Sequence, residues 1–456
     1  MRLARVGIPV TLVLACASCT VIITGDGGTD DDTTYNNTTD PTNKGAEYIG
    51  ADACRSCHAS VGENHRLHAH ANALTPIDGL PPTYLGTSTR AEVPNPPDGY
   101  EWTDVSYMLA GYLRGAYFID TDGFFINEGA NGADTLWRLP YMPLDTSAGF
   151  VPYPEGTELP SAFDYSCFKC HTTGATPQDA AQPSFQDNRP GMAGTFQEAG
   201  VQCEACHGPG SNHPPRPEAR EMFVDSSAQA CGTCHTHGDD PKVIEAHDGF
   251  LFNNAQYPEL LASGGHSGFS CTTCHDPHVS PNYEAANAIR NDCTDCHATL
   301  SMALHEGFVF RRGDYVEPVS CQSCHMPYLG VTASGAPADA VGQLAHVGDT
   351  RTHIFRIDAD RTDFLQMFTP DGTAVVKDDQ GRAAVTLDVV CLRCHNGIGN
   401  APAFSNLIIL SGVASGIHEK LLAAGIEPRQ ARPAAEEARR NLRGNPDVER
   451  NAPAGE

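Results

Sequence analysis

The chain has 456 residues with 56 acidic and 29 basic side chains, which gives a formal net charge of −27. This balance excludes most nucleic-acid binders, because phosphate recognition needs clustered positive charge. The eighteen cysteines are about 4% of the residues, well below the ~8–10% of small disulfide-stapled scaffolds.

The N-terminal residues have the layout of an export signal. Two arginines precede a short apolar run at 6–15, so residues 1–15 are predicted to be a secretory signal peptide. The Val-Leu-Ala-Cys sequence ending at Cys16 resembles the lipobox of bacterial lipoproteins, which predicts cleavage before Cys16 and lipidation of that cysteine. Cys19 is a weaker candidate. The alternative is an uncleaved membrane anchor over 6–23, which is near the ~17-residue minimum for a span.

Residues 16–46 are rich in Gly, Asp, Thr and Asn and contain little that can be buried. They are predicted to form a lipid-anchored, acidic, flexible tether. The folded part is then expected to lie in the periplasm, at the outer membrane or at the cell surface. The acidic charge of the whole chain favours cationic partners.

Eight Cys-x-x-Cys pairs, each followed directly by His, dominate the rest of the chain. C-x-x-C-H is the attachment signature of c-type heme, in which two thiols form thioethers to the porphyrin and the His reaches the iron. The sequence therefore predicts eight covalently attached hemes c, with the motif histidines as proximal ligands. Numbered 1 to 8 in chain order, the motifs are Cys54/Cys57/His58, Cys167/Cys170/His171, Cys203/Cys206/His207, Cys231/Cys234/His235, Cys271/Cys274/His275, Cys293/Cys296/His297, Cys321/Cys324/His325 and Cys391/Cys394/His395.

Zinc ribbons and structural disulfides are the alternative uses of CxxC pairs. Neither requires a His directly after the second Cys, and eight such coincidences have a chance of about one in 10^11 at this His content. Covalent heme attachment takes place outside the cytoplasm, in agreement with the predicted signal peptide.

The predicted heme domain covers 47–425 and offers too few residues per heme to enclose each one in a conventional domain. Motifs 3 to 7 begin only 28, 40, 22 and 28 residues apart, so neighbouring porphyrins must pack closely. We expect a mainly α fold with much irregular coil, built round a packed heme chain with small β-hairpin insertions.

Twelve histidines remain after the eight proximal ones, enough for a second imidazole on every iron. Methionines repeat at no fixed offset from the motifs, so methionine ligation, which raises the potential, is disfavoured. Paired histidines suit low-potential electron transfer in anaerobic respiration. His278 follows His275 by three residues and His213 follows His207 by six, so each is expected to ligate a neighbouring heme. The predicted distal ligands are His70, His213, His247, His266, His278, His305, His353 and His418.

The four other histidines, His65, His68, His237 and His346, are expected more often to be structural, with His346 and His353 left as alternatives for one site. An aromatic, partly alternating stretch at 99–143, with turn signals at Asp122-Gly123 and Asn131-Gly132, predicts an inserted β-hairpin or small sheet between motifs 1 and 2.

A second hairpin is predicted over 354–387, with Asp371-Gly372 as its turn. Helices are expected at 60–74 and 411–424. A polar C-terminal tail at 426–456 is predicted to include a short helix.

The sequences that flank the motifs resemble those of the multiheme cytochrome c superfamily. This superfamily includes the tetraheme cytochrome of nitrification, octaheme hydroxylamine oxidoreductase and octaheme tetrathionate reductase. The resemblance spans about 47–400 and is carried by Cys-His-Gly-Pro-Gly-Ser-Asn-His ending at His213, Cys-His-Asp-Pro-His ending at His278, and Arg-Thr-His-Ile-Phe-Arg around His353. It implies alternating stacked and perpendicular heme pairs, and it implies that His70, His213, His266, His278 and His353 are distal ligands.

Departures from the enzymes of this superfamily favour an electron carrier. The last tyrosine, Tyr328, precedes motif 8, all eight motifs end in His, and only Lys242, Lys377 and Lys420 are candidates for a catalytic lysine. The predicted function is an exported octaheme cytochrome that carries electrons between redox proteins, such as a quinol dehydrogenase or other cytochromes, and a terminal acceptor. The alternatives are a multiheme oxidoreductase acting on a small nitrogen or sulfur compound at one five-coordinate heme, and a heme-bearing filament subunit.

Overall fold

The structure is a computed structural model that describes residues 37–84, 92–140, 147–154, 161–217, 222–281, 285–302, 305–313, 315–332 and 346–404. The predicted signal peptide, the lipidated Cys16, His418 and the C-terminal tail lie outside the described residues. Within the described ranges, no helix combines the length and the apolar character needed to cross a bilayer.

The helices are short, and most of them carry a heme-attachment motif. The described part of the chain contains α1 Ala51–Arg55, α2 Ala59–Arg66, α3 Tyr165–His171, α4 Cys203–His207, α5 Ala228–Gly232, α6 Gln256–Leu261, α7 Ala285–Ala288, α8 Cys293–Cys296 and α9 Cys321–His325. Motifs 5 and 8 begin instead in a 3₁₀ turn at Cys271–Thr273 and a π turn at Asp388–Leu392. Helices this short are marginal alone, so their stability must come from tertiary contacts and from what the motifs bind.

The strands form small sheets between these helices. They are β1 Leu74–Pro76, β2 Val105–Ala110, β3 Gly115–Asp120, β4 Leu136–Arg138, β5 Gly149–Val151, β6 Thr172–Thr173, β7 Glu198–Ala199, β8 Ala246–His247, β9 Phe250–Phe252, β10 Val309–Arg312, β11 Tyr315–Pro318, β12 Tyr328–Val331, β13 Thr350–Arg351, β14 Ile357–Asp358 and β15 Val385–Thr386. The largest sheet is antiparallel in the order β1-β2-β3-β4-β5, and a four-stranded sheet has the order β13-β12-β9-β8.

A five-stranded sheet forms where a hairpin or a small sheet was expected at 99–143. Successive residues of β3 face opposite sides, as in any pleated strand: Phe118 packs in one apolar cluster and Ile119 in another. The second cluster includes Phe168 of motif 2, so one face of the sheet lies against that motif. The predicted turn at Asp122-Gly123 is present, and Gly123 has φ 91° with Met192 directly against the position of a β-carbon.

The 354–387 segment is not the hairpin that was expected. Its end strands β14 and β15 pair in parallel. Only the tight turn at Asp371-Gly372 forms, where the amide of Thr369 donates to the carbonyl of Ala374 at 2.8 Å. The apolar side chains of this segment pack instead with Ile244, Leu251 and Leu329 in a core beside the four-stranded sheet.

Two N-terminal expectations also differ from the structure. The helix expected at 60–74 ends at Arg66, and strand β1 begins at Leu74. Residues 37–46, assigned to the flexible tether, are held against motif 3: the amide of the Asn43 side chain donates to the carbonyls of His207 and Pro209 at 2.9 and 2.8 Å. A buried asparagine that meets two orphan carbonyls can fix a segment that has little apolar surface to bury.

Candidate heme-binding site

Each motif is folded as one helical turn. In motif 1 the amide of His58 donates to the carbonyl of Cys54 at 2.9 Å, and motifs 4, 5, 6 and 8 make the same bond at 2.8 to 3.0 Å. Residues four apart lie on one face of a helical turn. The first cysteine and the histidine of a motif therefore face the same side.

Capping side chains explain why the turns begin where they do. Asp164 accepts from the amide of Ser166 ahead of motif 2, Ser227 accepts from Ala230 ahead of motif 4, and Asp292 immediately precedes motif 6 in a capping box. Asp and Ser satisfy the first free amides of a helix. These short polar residues therefore set the start of the helical turn.

Six motif histidines lie opposite a second histidine ring. The pairs, with the distances between ring centroids, are His58–His213 at 6.1 Å, His235–His70 at 6.0 Å, His207–His278 at 6.1 Å, His297–His266 at 6.0 Å, His275–His353 at 6.2 Å and His395–His305 at 6.0 Å.

This spacing fits one metal ion between two imidazoles. A metal–imidazole bond is about 2.0–2.1 Å and a ring nitrogen lies about 1.1 Å from the ring centre, so two imidazoles on opposite faces of one metal have centroids roughly 6 Å apart. Burial lowers the pKa of His353 to about 3. This imidazole is therefore neutral, which is the form that binds a metal.

The pairs join different parts of the chain. His278 lies opposite His207 of motif 3, although it follows motif 5, and His213 lies opposite His58 of motif 1, although it follows motif 3. Each pair thus connects the segment that carries one motif to the segment after another.

Two of the eight predicted distal histidines are not placed in this way. The side chain of His247 is 73% exposed and its ring lies 3.2 Å from Asp248 on the surface, so the structure does not bring it to a motif histidine. His418 lies outside the described residues. The described part of the chain places no second imidazole at about 6 Å from His171 of motif 2.

The four remaining histidines have other surroundings. His346 is stacked between Phe250 and Phe364 at 3.9 and 3.8 Å, and its ring also contacts the carbonyl of Gly249. It therefore does not share the position of His353, which lies opposite a motif histidine. His237 stacks on Phe252 at 3.6 Å.

His65 and His68 are buried near the end of α2, and burial lowers the pKa of each to about 4. Their rings are also 6.2 Å apart, but neither follows a CxxC pair. The Nδ1 atom of His68 accepts from the amide of His70 at 2.9 Å, which positions a residue that faces motif 4.

Backbone carbonyls orient several proximal rings. Nδ1 of His207, His325 and His395 lies 3.0, 2.7 and 2.7 Å from the carbonyls of Phe223, Phe355 and Pro402. A hydrogen bond at one ring nitrogen fixes the tautomer and directs the other nitrogen towards a metal.

The motifs also contact one another through their cysteines. Cysteine side chains lie next to one another between motifs 1 and 3 (Cys54–Cys203), 2 and 4 (Cys170–Cys234), 4 and 5 (Cys231–Cys271), and 6 and 7 (Cys293–Cys321). Cysteines also lie near one another between motifs 3 and 4, motifs 5 and 6, and motifs 7 and 8. The eight motifs therefore form a continuous series from motif 1 to motif 8, and motif 2 joins it at motif 4.

A cavity of about 3780 Å³ runs along the middle of this series. Its wall includes residues of motifs 2 to 7, whereas ordinary ligand pockets hold about 300–1,000 Å³. A space of this size, lined by the histidines and cysteines of the motifs, suits several large planar cofactors.

Sequence reasoning missed the charged residues that hold neighbouring motifs together. Glu204 lies inside motif 3 and is 3% exposed, Arg393 lies inside motif 8 and is 3% exposed, and Glu317 of β11 is 6% exposed. A charged residue between the two cysteines of a motif is a weak signal of this role, because Lys169 and Asp295 occupy that position in motifs 2 and 6 and are exposed.

The chain is similar in sequence to known cytochromes. The sequence profile of the family described as cytochrome c554 and c-prime matches residues 156–208 and 277–326. The multiheme cytochrome MtrA of Shewanella baltica is 24% identical over 234 residues, which are 47% of this chain and 61% of that protein. The dissimilatory sulfite reductase MccA of Wolinella succinogenes is 24% identical over 198 residues, 35% of this chain and 27% of that protein. The chain thus spans less than two thirds of the length of these relatives, and the matches are consistent with the multiheme cytochrome c superfamily.

These relatives imply that the chain binds heme c covalently. Two solved cytochrome structures match the chain at TM-scores below 0.5. The octaheme sulfite reductase MccA of Wolinella succinogenes has a TM-score of 0.49 at 16% identity, with 76% of this chain and 65% of that one covered. The outer cell wall cytochrome OcwA has a TM-score of 0.46 at 18% identity, with 87% and 91% covered.

Proposed function

We propose that this cytochrome is an exported electron-transfer protein that carries eight hemes c and relays electrons between redox partners. The observation that supports the proposal best is the set of six histidine pairs at 6.0–6.2 Å. An iron with two protein imidazoles has no site for a substrate, so such hemes exchange electrons and do not transform small molecules.

The proposed ligands follow from the pairs. Each motif supplies the proximal histidine, and the distal histidines are His213 for motif 1, His278 for motif 3, His70 for motif 4, His353 for motif 5, His266 for motif 6 and His305 for motif 8. Heme supplies a one-electron carrier when bound. The chain sets its potential through the axial ligands, hydrogen bonds and burial.

The two ends of the series reach the surface, where partners can exchange electrons with them. His58 and Cys57 of motif 1 are exposed. At motif 8, His395 stacks on Phe404 at 4.4 Å, and Phe404 and Ile398 are 40% and 47% exposed. The acidic chain favours cationic partners. Lipidated Cys16 would hold the protein at a membrane.

The test uses the full chain matured in a host that attaches heme c. Mass spectrometry is expected to show eight adducts, and the oxidised protein is expected to show low-spin iron for the six paired hemes. Stopped-flow reduction by a small donor should then reduce all the hemes. Fewer adducts, or hemes that do not exchange electrons with the rest, would contradict the proposal.

The ligand assignment has its own test. We expect His278→Met to raise the potential of the motif 3 heme, because methionine ligation raises heme potentials, and to leave the motif 5 heme unchanged. His247→Met is the matched control and should change neither. A shift confined to motif 5 would contradict the assignment.

A second candidate function rests on motif 2. The six pairs do not include motifs 2 and 7, and for His171 of motif 2 the described residues place no opposing imidazole. Arg114, Tyr117 and Lys169 line the same cavity as His171. An iron with an open face among such groups can act on a small anion, in line with the hypothesis of a multiheme oxidoreductase.

The two candidates are separated by one titration. A high-spin signal that disappears on addition of sulfite, nitrite or cyanide would favour the oxidoreductase. An entirely low-spin protein that takes up none of these anions would leave electron transfer as its function.

A further inference from the structure

A buried carboxylate joins motifs 1 and 3 at the N-terminal end of the series. Oε1 of Glu204 accepts from the amides of Ile49 and Gly210 at 3.0 and 2.7 Å, and Oε2 accepts from Gly50 at 2.8 Å. These donors are uncharged amides. Glu204 therefore places a negative charge between the two motif turns, stabilised by hydrogen bonds to the backbone.

The surrounding charges at this end are also mainly negative. Glu198 accepts from the amide of Ala51 at 3.0 Å, and Arg55 of motif 1 is paired with Asp52 at 2.6 Å. Within the described residues, the charged groups that act on Cys54 and Cys203 are thus the carboxylates of Glu204 and Glu198 and the guanidinium of Arg55.

The junction of motifs 7 and 8 has the opposite composition. Glu317 is bound by Arg393 at 2.5 and 3.1 Å through two nitrogens, and by Arg351 at 3.2 Å. Ser323 of motif 7 donates to the same carboxylate at 2.6 Å. The guanidinium groups therefore outnumber the carboxylate that they hold.

Further charges surround this junction in the described part of the chain. Arg312 is 7% exposed and lies 5.6 Å from the ring of Tyr315, and Asp388, 9% exposed, precedes motif 8. Asp292 and Glu306 lie near Cys321 of motif 7. Arg393 lies between the two cysteines of motif 8, and Arg312, Arg351 and Glu317 also act on Cys394, so three guanidinium groups and one carboxylate surround this sulfur.

Buried charges act strongly on a redox centre because the protein interior screens them weakly. A nearby positive charge favours the reduced iron, which has gained an electron, and a nearby negative charge favours the oxidised iron. Burial and nearby charge are among the means by which a protein sets heme potentials.

From these charges we infer that the potentials rise along the series, with the heme of motif 8 higher than those of motifs 1 and 3. The inference rests on the proposed electron-transfer function and adds a direction to it. An electron enters when a reduced donor protein is oxidised at the motif 1 end. It leaves when an acceptor protein is reduced at the motif 8 end.

The ring angles allow the two ends to be followed separately. The planes of His58–His213 and His207–His278 are 18° and 6° apart, those of His70–His235 and His266–His297 are 61° apart, and those of His305–His395 are 77° apart. Nearly parallel imidazoles give a rhombic low-spin EPR signal, and the anisotropy of the signal increases as the planes become perpendicular. In an EPR-monitored redox titration of the full holoprotein, the most anisotropic signal should be lost before the rhombic signals on reduction, and His305→Met should remove it, which assigns it to motif 8.

Charge variants test the cause. Glu204→Gln should raise the potential of the rhombic hemes, Glu317→Gln should raise that of the motif 8 heme, and Arg351→Gln should lower it. Each should change the electron distribution between the two ends at least tenfold, about 59 mV for one electron. Arg351→Lys keeps the charge and should restore the potential, and the exposed Glu63→Gln is the control.

Opposite shifts for Glu317→Gln and Arg351→Gln cannot come from loosened packing, which would move both in one direction. Shifts of equal sign, or rhombic hemes that are reduced first, would overturn the inference. In either case eight low-spin hemes that exchange electrons would leave the proposed function intact. A protein that lacks such hemes contradicts the function itself.

Discussion

The two ends of the motif series solve one structural problem with different chemistry. At each end a buried carboxylate, Glu204 or Glu317, fastens two motif turns together. Glu204 is held by backbone amides, whereas Glu317 is held by Arg393 and Arg351. Equivalent mechanical links therefore carry different electrostatic surroundings, which shows that packing and potential can be adjusted separately in this fold.

The largest loss of stability is expected when the charge of Glu317 is removed. Glu317→Gln leaves Arg393 buried without its ion-pair partner, and removing one partner of a buried pair costs about 3–5 kcal/mol. Denaturant unfolding of the holoprotein, followed by heme absorbance, measures the loss. A cost near zero would show that this network does not hold the C-terminal junction together.

Glu204→Gln should cost less, about 1–3 kcal/mol, because the amide retains one carbonyl acceptor but leaves backbone donors unsatisfied. The same unfolding experiment applies. If the cost equalled or exceeded that of Glu317→Gln, the proposed difference between the two junctions would be wrong.

The stability that Glu317 contributes should depend on pH. Burial raises the pKa of Glu317, but the opposite effect of Arg393 and Arg351 is larger. The pKa of Glu317 in the folded state therefore lies well below its usual value. A lowered folded pKa gives stability that is fully present above the unfolded pKa of about 4.3 and is lost as the pH falls below it. The stability gap between wild type and Glu317→Gln should stay constant from pH 7 to 5 and narrow below about pH 4.3.

The smallest effect is expected at the surface pair of Glu63 and Arg66, which are 3.3 Å apart and 64% and 43% exposed. Solvent screening limits such pairs to about 0.2–1 kcal/mol. Glu63→Gln should thus hardly change the unfolding midpoint. A loss comparable to that of Glu204→Gln would show that the unfolding assay does not separate the buried links from the surface.

Local features were predictable from the sequence because they depend on neighbouring residues. The CxxCH spacing predicts a helical turn with Cys and His on one face, and the three-residue separation of His275 and His278 excludes one heme as their common site. The identity of the partner was not predictable: His278 lies opposite His207 because distant segments pack together.

Other features depend on tertiary packing that leaves little trace in the sequence. His247 and His266 both lie between motifs, yet only His266 lies opposite a motif histidine. Strands β1 and β5 have three residues each, which is too few to show a period of two. The number of strands in the sheet could therefore not be predicted. Glu317 is distant from motif 8 in sequence, so its pairing with Arg393 could not be seen.

The cavity of about 3780 Å³ between motifs 2 and 7 has a consequence for biogenesis. Protein interiors are close-packed, at a density of about 0.74–0.76, and side chains do not fill this one. We therefore expect heme attachment to accompany folding, so a block in attachment should yield degraded polypeptide and not a stable pool of apoprotein.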